Sequence, residues 1–250
     1  MMVSELPWRA FDGVRIIGDV HGDAEAFSIA IEEASARHLF VIQLGDLVDR
    51  GPDSVGALRL ALDLLDRGRG SFLRANHDDK LRRALRGNPV KIGVQLARTL
   101  DALAAAPDHA DLLPRLRDAL EQAPWWLRVG NHLLVHGAFH PAMLTAPAPE
   151  RLSSRDDAKK CQRLALYGDA SPGADDDDPP VRSYGWIDQV PADITVVIGH
   201  DVIATDRVIE RQGVLGGRVL FCDTGAGKGG KVSWIDLPKA AMMAGDRPAR

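Results

Sequence analysis

The chain has 250 residues, 45% of them apolar and 26% charged, which is enough to bury a sizeable core and gives no sign of bulk disorder. Its formal net charge of −4 argues against a stable nucleic-acid complex, because a phosphate backbone demands a basic face, but it is compatible with a small phosphate pocket. Two cysteines without CxxC spacing, Cys161 and Cys222, exclude a disulfide framework, and no stretch has the length or apolarity of a signal peptide or a membrane span; a cytoplasmic protein is the expectation.

In chain order, Val14–Ile17 is a β-branched run that stops in Gly18-Asp19-Val20-His21-Gly22, followed by a helical pattern from Asp23 to Ala36. Leu39–Leu44 repeats the arrangement into Gly45-Asp46-Leu47-Val48-Asp49-Arg50-Gly51, with a helix from Asp53 to Asp66. A third unit runs from Ser71 to Arg74 into Ala75-Asn76-His77-Asp78, with a helix from Asp79 to Leu85. Three successive βα units imply a sheet covered by helices. Residues 95–127 read as a helical insert, interrupted at Pro107 and Pro114, with little obvious chemistry. Strands return at Leu133–Val135, Thr195–Ile198, Arg218–Cys222 and Val232–Leu237, and residues 171–180, with the acidic run Asp175–Asp178, form a proline-flanked loop. All of this is expected to be one domain, residues 1–250.

The recurring event is an apolar strand that ends by delivering Asp, His or Asn from its carboxyl end, where open α/β sheets bind ligands. That gives Asp19, His21, Asp46, Asn76, His136 and His200. Carboxylate, imidazole and amide oxygen together suit manganese, iron or zinc, whereas magnesium and calcium sites use oxygen almost exclusively. Six ligands exceed the needs of one four-coordinate ion and divide between two if one carboxylate, for which Asp46 is the candidate, is shared. Such a pair can polarise a phosphoryl oxygen and lower the pKa of a bound water towards about 7, giving a hydroxide nucleophile.

GDVHG (18–22), GDLVDRG (45–51) and NHD (76–78) resemble the calcineurin-like metallophosphoesterases, in the form found in the phosphoprotein phosphatase branch. NHDDKLRRALRG, LYGD (166–169), VVIGH (196–200) and DTG with GGK (223–225, 229–231) further resemble bacterial diadenosine-tetraphosphate hydrolases and the phosphatase domain of bacterial polynucleotide kinase-phosphatase. The resemblance covers about residues 14–237. It implies an α/β sandwich of two mixed sheets flanked by helices. It also implies Asp19, His21 and Asp46 on one ion and Asp46, Asn76, His136 and His200 on the other. His77 would protonate the leaving oxygen, Asp49 would orient His77, Arg50 would bind phosphoryl oxygens, and Asp223 would stand behind the ligands. Arg182 is a candidate for a substrate phosphate. The chain departs from the family pattern mildly at Ala75, and at Asp201 and Gly225–Lys228, the last two of which touch the rim of the site.

The expectation is therefore a serine/threonine phosphatase-like hydrolase with two divalent ions, best supported by manganese. Its substrate would be a phosphorylated protein or small phosphomonoester, with a dinucleoside polyphosphate (diadenosine tetraphosphate) as the alternative and a catalytically silent phosphate- or protein-binding module as a reading of another class. His38, His109, His132 and His140 are assigned no chemistry. Gly225–Gly230 matches GxGxxG, but a strand rather than a helix follows it, so it reads as a hairpin and not a nucleotide loop.

Overall fold

The computed structural model describes residues 6–171 and 181–243. Two mixed sheets face each other. In the first, β1 (Gly13–Ile17), β2 (Leu39–Gln43) and β3 (Gly70–Phe72) run parallel, and β11 (Trp234–Pro238) lies antiparallel against β1. In the second, β5 (His132–Val135), β8 (Thr195–Ile198) and β10 (Arg218–Phe221) run parallel between the antiparallel edges β4 (Trp126–Val129) and β9 (Ile209–Gln212).

Period-two alternation explains the layering. Val14, Ile16, Phe40 and Ile42 of the first sheet meet Leu134, Val197 and Cys222 of the second in one buried cluster. The alternate residues Ile17 and Val41 face outward under helices α1 (Ala24–Ala36), α2 (Ser54–Asp66), α4 (Val94–Ala105) and α5 (His109–Gln122). Leu133, Val135, Val196 and Ile198 do the same beneath α6 (Arg155–Tyr167), on the other outer face. Strands buried on both faces need nearly continuous apolar runs, which is why they stand out in the sequence. The chain also carries α3 (Asn76–Leu85), a short hairpin of β6 (Ala170–Ser171) and β7 (Val181–Arg182), and α7 (Lys239–Met243).

Three expectations need correction. Helix α3 begins at Asn76 rather than Asp79, so Asn76 and His77 occupy its first turn. The helical segment ends at Gln122, and Trp126 and Leu127 already belong to β4, where both are buried. Pro114 does not interrupt: it lies inside α5, exposed, and the carbonyl it leaves unbonded belongs to Ala110, also exposed and open to water. The acidic run Asp175–Asp178 and most of its loop lie outside the described residues.

Just past their carboxyl ends, β1 and β10 approach one another closely. A Cβ on Gly18 would sit 1.8 Å from the carbonyl oxygen of Cys222, so only glycine permits this approach of β1 to β10. Gly18→Ala should therefore cost at least the roughly 1–3 kcal/mol of an overpacked core. At about 2–4 °C per kcal/mol for a chain of this size, that appears as a clear fall in Tm by thermal unfolding. A Cβ on Gly93 meets nothing within 4 Å among the described residues, and Gly93→Ala should leave Tm nearly unchanged.

Candidate metal centre

The crevice at the carboxyl ends of β1, β2, β3, β5, β8 and β10 gathers the sequence-predicted residues except Arg182, in the loops after β1, β2, β5, β8 and β10 and, for Asn76 and His77, in the first turn of α3 beyond β3. The turns are tight. His21, Asp46, Asp49, Arg50 and His200 all adopt positive φ, at 47°, 57°, 72°, 69° and 65°. Non-glycine residues there cost of order 1–3 kcal/mol each, and such strain concentrates at functional sites.

The outer contacts of the histidines fix their tautomers. A carbonyl can only accept, so the ring nitrogen facing it carries the proton. His21 Nδ1 donates to Val48 O (3.0 Å), His136 Nδ1 to Leu44 O (3.1 Å) and His200 Nε2 to Tyr167 O (3.1 Å). The opposite nitrogens therefore turn lone pairs inward. His136 Nε2 lies 3.0 Å from Asn76 Oδ1 and 3.1 Å from His200 Nδ1, with no hydrogen to share between these acceptors. Asp46 Oδ2 lies 3.6 Å from both His21 Nε2 and His136 Nε2, so one carboxylate oxygen stands between two clusters of ligand atoms. Asp46 Oδ1 accepts from the backbone N–H of His77, at the positive end of α3.

Burial pushes His21 down to about 4 and His200 down to about 2, so both rings are neutral at pH 7 and present lone pairs. Asp46 is buried, which opposes ionisation, but His136, His77, His21 and His200 outweigh that and hold it well below the usual carboxylate range. Asp19 shows the reverse. Burial first, then Asp223 and Asp46, push its carboxyl well above the usual range. Its Oδ1 accepts from His200 N (3.0 Å), while Oδ2, 3.6 Å from His21 Nε2, is buried without a hydrogen-bond partner among the described residues. A buried carboxylate oxygen left unpaired beside converging lone pairs is what a cation would satisfy. The donor set fits two ions sharing Asp46: two groups with ligand atoms within 4.8 Å of one another both contain it, one with His21 and His77, the other with His136 and His200. Because His77 is tied to Asp49, Asp19 is the better partner for His21. A Cβ on Gly199 would fall 2.3 Å from Asp19 Oδ1, so glycine is required there too.

Beside these ligands, Asp49 Oδ2 accepts from His77 Nδ1 at 2.6 Å, leaving His77 Nε2 towards the crevice. The Arg50 guanidinium spans His21 Nε2 (2.7 Å) and His77 Nε2 (3.2 Å). Asp223 is buried behind the ligands, with Oδ1 accepting from Gly225 N (2.8 Å) and Lys228 Nζ 3.8 Å from Oδ2. Arg182 sits at the rim rather than among the ligands, donating to Tyr167 O (2.6 Å) and paired with Asp201 (3.1 Å).

Sequence reasoning missed several supports. Thr99, on α4, donates to Asp49 Oδ1 (2.7 Å), and Ser54 Oγ accepts from Asp49 N (2.9 Å). Asp78, buried, accepts from Leu47 N (3.1 Å) and anchors the loop that carries Asp46 and Asp49. A signal for Thr99 existed: Leu96, Thr99 and Leu103 are the buried residues of α4, and a lone hydroxyl on an apolar stripe needs a partner. The segment described as poor in chemistry thus contributes to the site. His132, assigned no role, lies at the start of β5 and remote from these ligands in the strand.

The calcineurin-like phosphoesterase family model matches residues 14–215. An asymmetrical bis(5'-nucleosyl)-tetraphosphatase of Geobacillus sp. (strain WCH70) is 27% identical over 92% of this chain and 93% of its own. Its counterpart in Oceanobacillus iheyensis is 25% identical over 92% and 91%. Among solved structures, one provisionally assigned as a diadenosine tetraphosphatase aligns with a TM-score of 0.58 at 23% identity, over 91% of this chain and 94% of that one. A Saccharomyces cerevisiae protein serine/threonine phosphatase aligns with a TM-score of 0.54 at 14% identity, over 92% and 81%. At such identities these two structures speak for the fold alone. Motifs, fold and the family match over most of the length agree, and the chain belongs to the calcineurin-like phosphoesterases.

Proposed function

We propose that this chain hydrolyses dinucleoside polyphosphates of the bis(5'-nucleosyl)-tetraphosphate class, with two divalent ions, manganese the first choice, held by Asp19, His21, Asp46, Asn76, His136 and His200. The observation that carries the substrate is the similarity, over nine-tenths of both chains, to relatives named for that activity. It favours the alternative of the sequence reading over protein phosphoserine or phosphothreonine. When bound, the ions would supply positive charge for the phosphoryl oxygens and a water of lowered pKa.

The protein's own groups do the rest. Arg50, whose planar fork matches two phosphoryl oxygens, orients the group under attack. His77, with its Nδ1 proton held by Asp49 and Asp49 held by Thr99, exchanges a proton through Nε2 at the leaving oxygen. Asp223 and Asp78 keep the ligand loops in place. Arg182, displaced to the rim, is available to a more distant phosphate. No helix among the described residues is long and apolar enough to cross a membrane, and both cysteines are free and buried, in keeping with a reducing cytoplasm as the proposed setting.

Metal-loaded enzyme should turn over diadenosine tetraphosphate with a kcat/KM well above that for a phosphoserine peptide; the opposite order overturns the assignment. Arg50→Ala should cost about 10–150-fold in kcat/KM, the equivalent of the 1.5–3 kcal/mol of hydrogen bonds to a charged group, and weaken inhibition by inorganic phosphate. Metal content, read by elemental analysis, should not change, and Arg50→Lys should recover only part of the loss. Unaltered turnover and phosphate inhibition in Arg50→Ala would remove it from phosphate binding.

A further inference from the structure

The face of α3 that carries Asn76 and His77 does not stop at the centre. Residues three and four apart share a helix face, so Lys80 and Arg83 continue the row outward, with about 9 Å of helix between His77 and Arg83. A cleft of about 320 Å³ opens along this row, lined by Asn76, His77, Lys80, Arg83, Lys91 and Tyr167.

The charges on this helix are not treated alike. Arg82 pairs with Asp79 and Glu121, and Arg86 with Glu121. Among the described residues, Lys80 and Lys91 have no carboxylate partner, and Arg83 spends one N–H on the neutral carbonyl of Pro89. Three uncompensated cations thus line one cleft of a chain whose net charge is −4. Tyr167, 46% exposed, forms another wall. Its carbonyl receives both His200 Nε2 and Arg182 Nη1, which ties this residue to the rim of the centre. An exposed aromatic face beside a run of unpaired cations combines the two features that hold a nucleotide: charge for the phosphates and a stacking platform for the base.

We infer that this cleft is a nucleotide subsite, in which Lys80, Arg83 and Lys91 hold phosphates beyond the one attacked and the Tyr167 ring stacks on the base. The inference rests on the reading of the centre as a phosphohydrolase and adds to it the residues that select a nucleotide over a simple phosphate ester. These are positioning residues and take no part in bond breaking.

The test is calorimetric binding of ADP and of inorganic pyrophosphate to the metal-loaded enzyme, alongside turnover of an aryl phosphate too small to extend along the cleft from His77 to Arg83 and Tyr167. Tyr167→Ala should weaken ADP about tenfold, within the range of base stacking on an aromatic side chain, and leave pyrophosphate unchanged. Tyr167→Phe, which keeps the ring, should bind ADP as the parent does. Lys80→Met and Arg83→Met should weaken both ligands, with kcat on the aryl phosphate retained in all four variants as a check on folding and on the centre. Wild-type affinity for ADP in Tyr167→Ala, or for pyrophosphate in both α3 variants, overturns the subsite. Failure to cleave diadenosine tetraphosphate would overturn the proposed substrate instead, and ADP binding reads the cleft separately from it.

Discussion

Asp46→Asn should strip the protein of both metal equivalents and of activity together. One oxygen of Asp46 stands 3.6 Å from histidine nitrogens on either side, so its charge serves both clusters, and a neutral amide in its place turns two hydrogens towards lone pairs. The exchange is conformationally clean, because the backbone at position 46 has φ 57°, and asparagine tolerates the left-handed region as well as aspartate does. Loss of function would therefore report ligand chemistry rather than a collapsed turn. Groups that merely support a ligand cost about 10–100-fold in metal affinity or activity, and a shared ligand should exceed that. The measurement is metal content after gel filtration, paired with turnover and with Tm. Two equivalents retained in the variant would end the shared-ligand assignment; unchanged metal with lost turnover would shift Asp46 to another task.

The parts of the fold and centre legible in sequence share one physical property. A strand buried on both faces needs a nearly continuous apolar run, so β1, β2, β5 and β8 stand out, β1 in spite of the buried Arg15 that pairs with Asp236, and the polar residue that follows each run marks the crevice. Asp19, Asp46, His136 and His200 were found that way. What stayed hidden depends on tertiary partners. The start of α3 is hidden because Ala75 offers no capping side chain; the N-terminal turn instead meets the carboxylate of Asp46, 31 residues from His77. Helix α6 begins with Ser154 capping Asp157 N, a readable signal, yet its few buried residues among many charges were not recognised as a helix. Tyr167 acquires meaning only from His200, which the fold sets beside it, and Thr99, a lone hydroxyl on an apolar stripe, needs the fold to show that its partner is Asp49. The GxGxxG run leads into strand β11 and not into a helix, as expected of something other than a nucleotide loop, but it is a turn closed by a Thr224–Lys231 bridge that carries the chain from one sheet to the other, not a hairpin between paired strands.

His77→Asn should cost much on a substrate with a poor leaving group and far less on one with a good leaving group. The Nδ1 proton is fixed on Asp49, which leaves Nε2 as the position where a proton can be handed over. An alkoxide cannot leave unprotonated, and general acid catalysis contributes about 10²–10⁴-fold, so the variant should lose that much on an alkyl phosphate. A nitrophenolate leaves readily and should show a distinctly smaller loss. A dinucleoside tetraphosphate expels a nucleotide through a phosphate oxygen, a far weaker base than an alkoxide, and should fall nearer the aryl ester. Thr99→Val should follow the same order more weakly, because it removes one donor from Asp49 and touches His77 only through it. The deciding quantity is the ratio of losses on alkyl and aryl phosphates, taken at saturating metal with metal content verified in each variant. Equal losses on both would take His77 out of the acid role and leave it, with Arg50 at 3.2 Å from its Nε2, as part of the phosphate-binding surface.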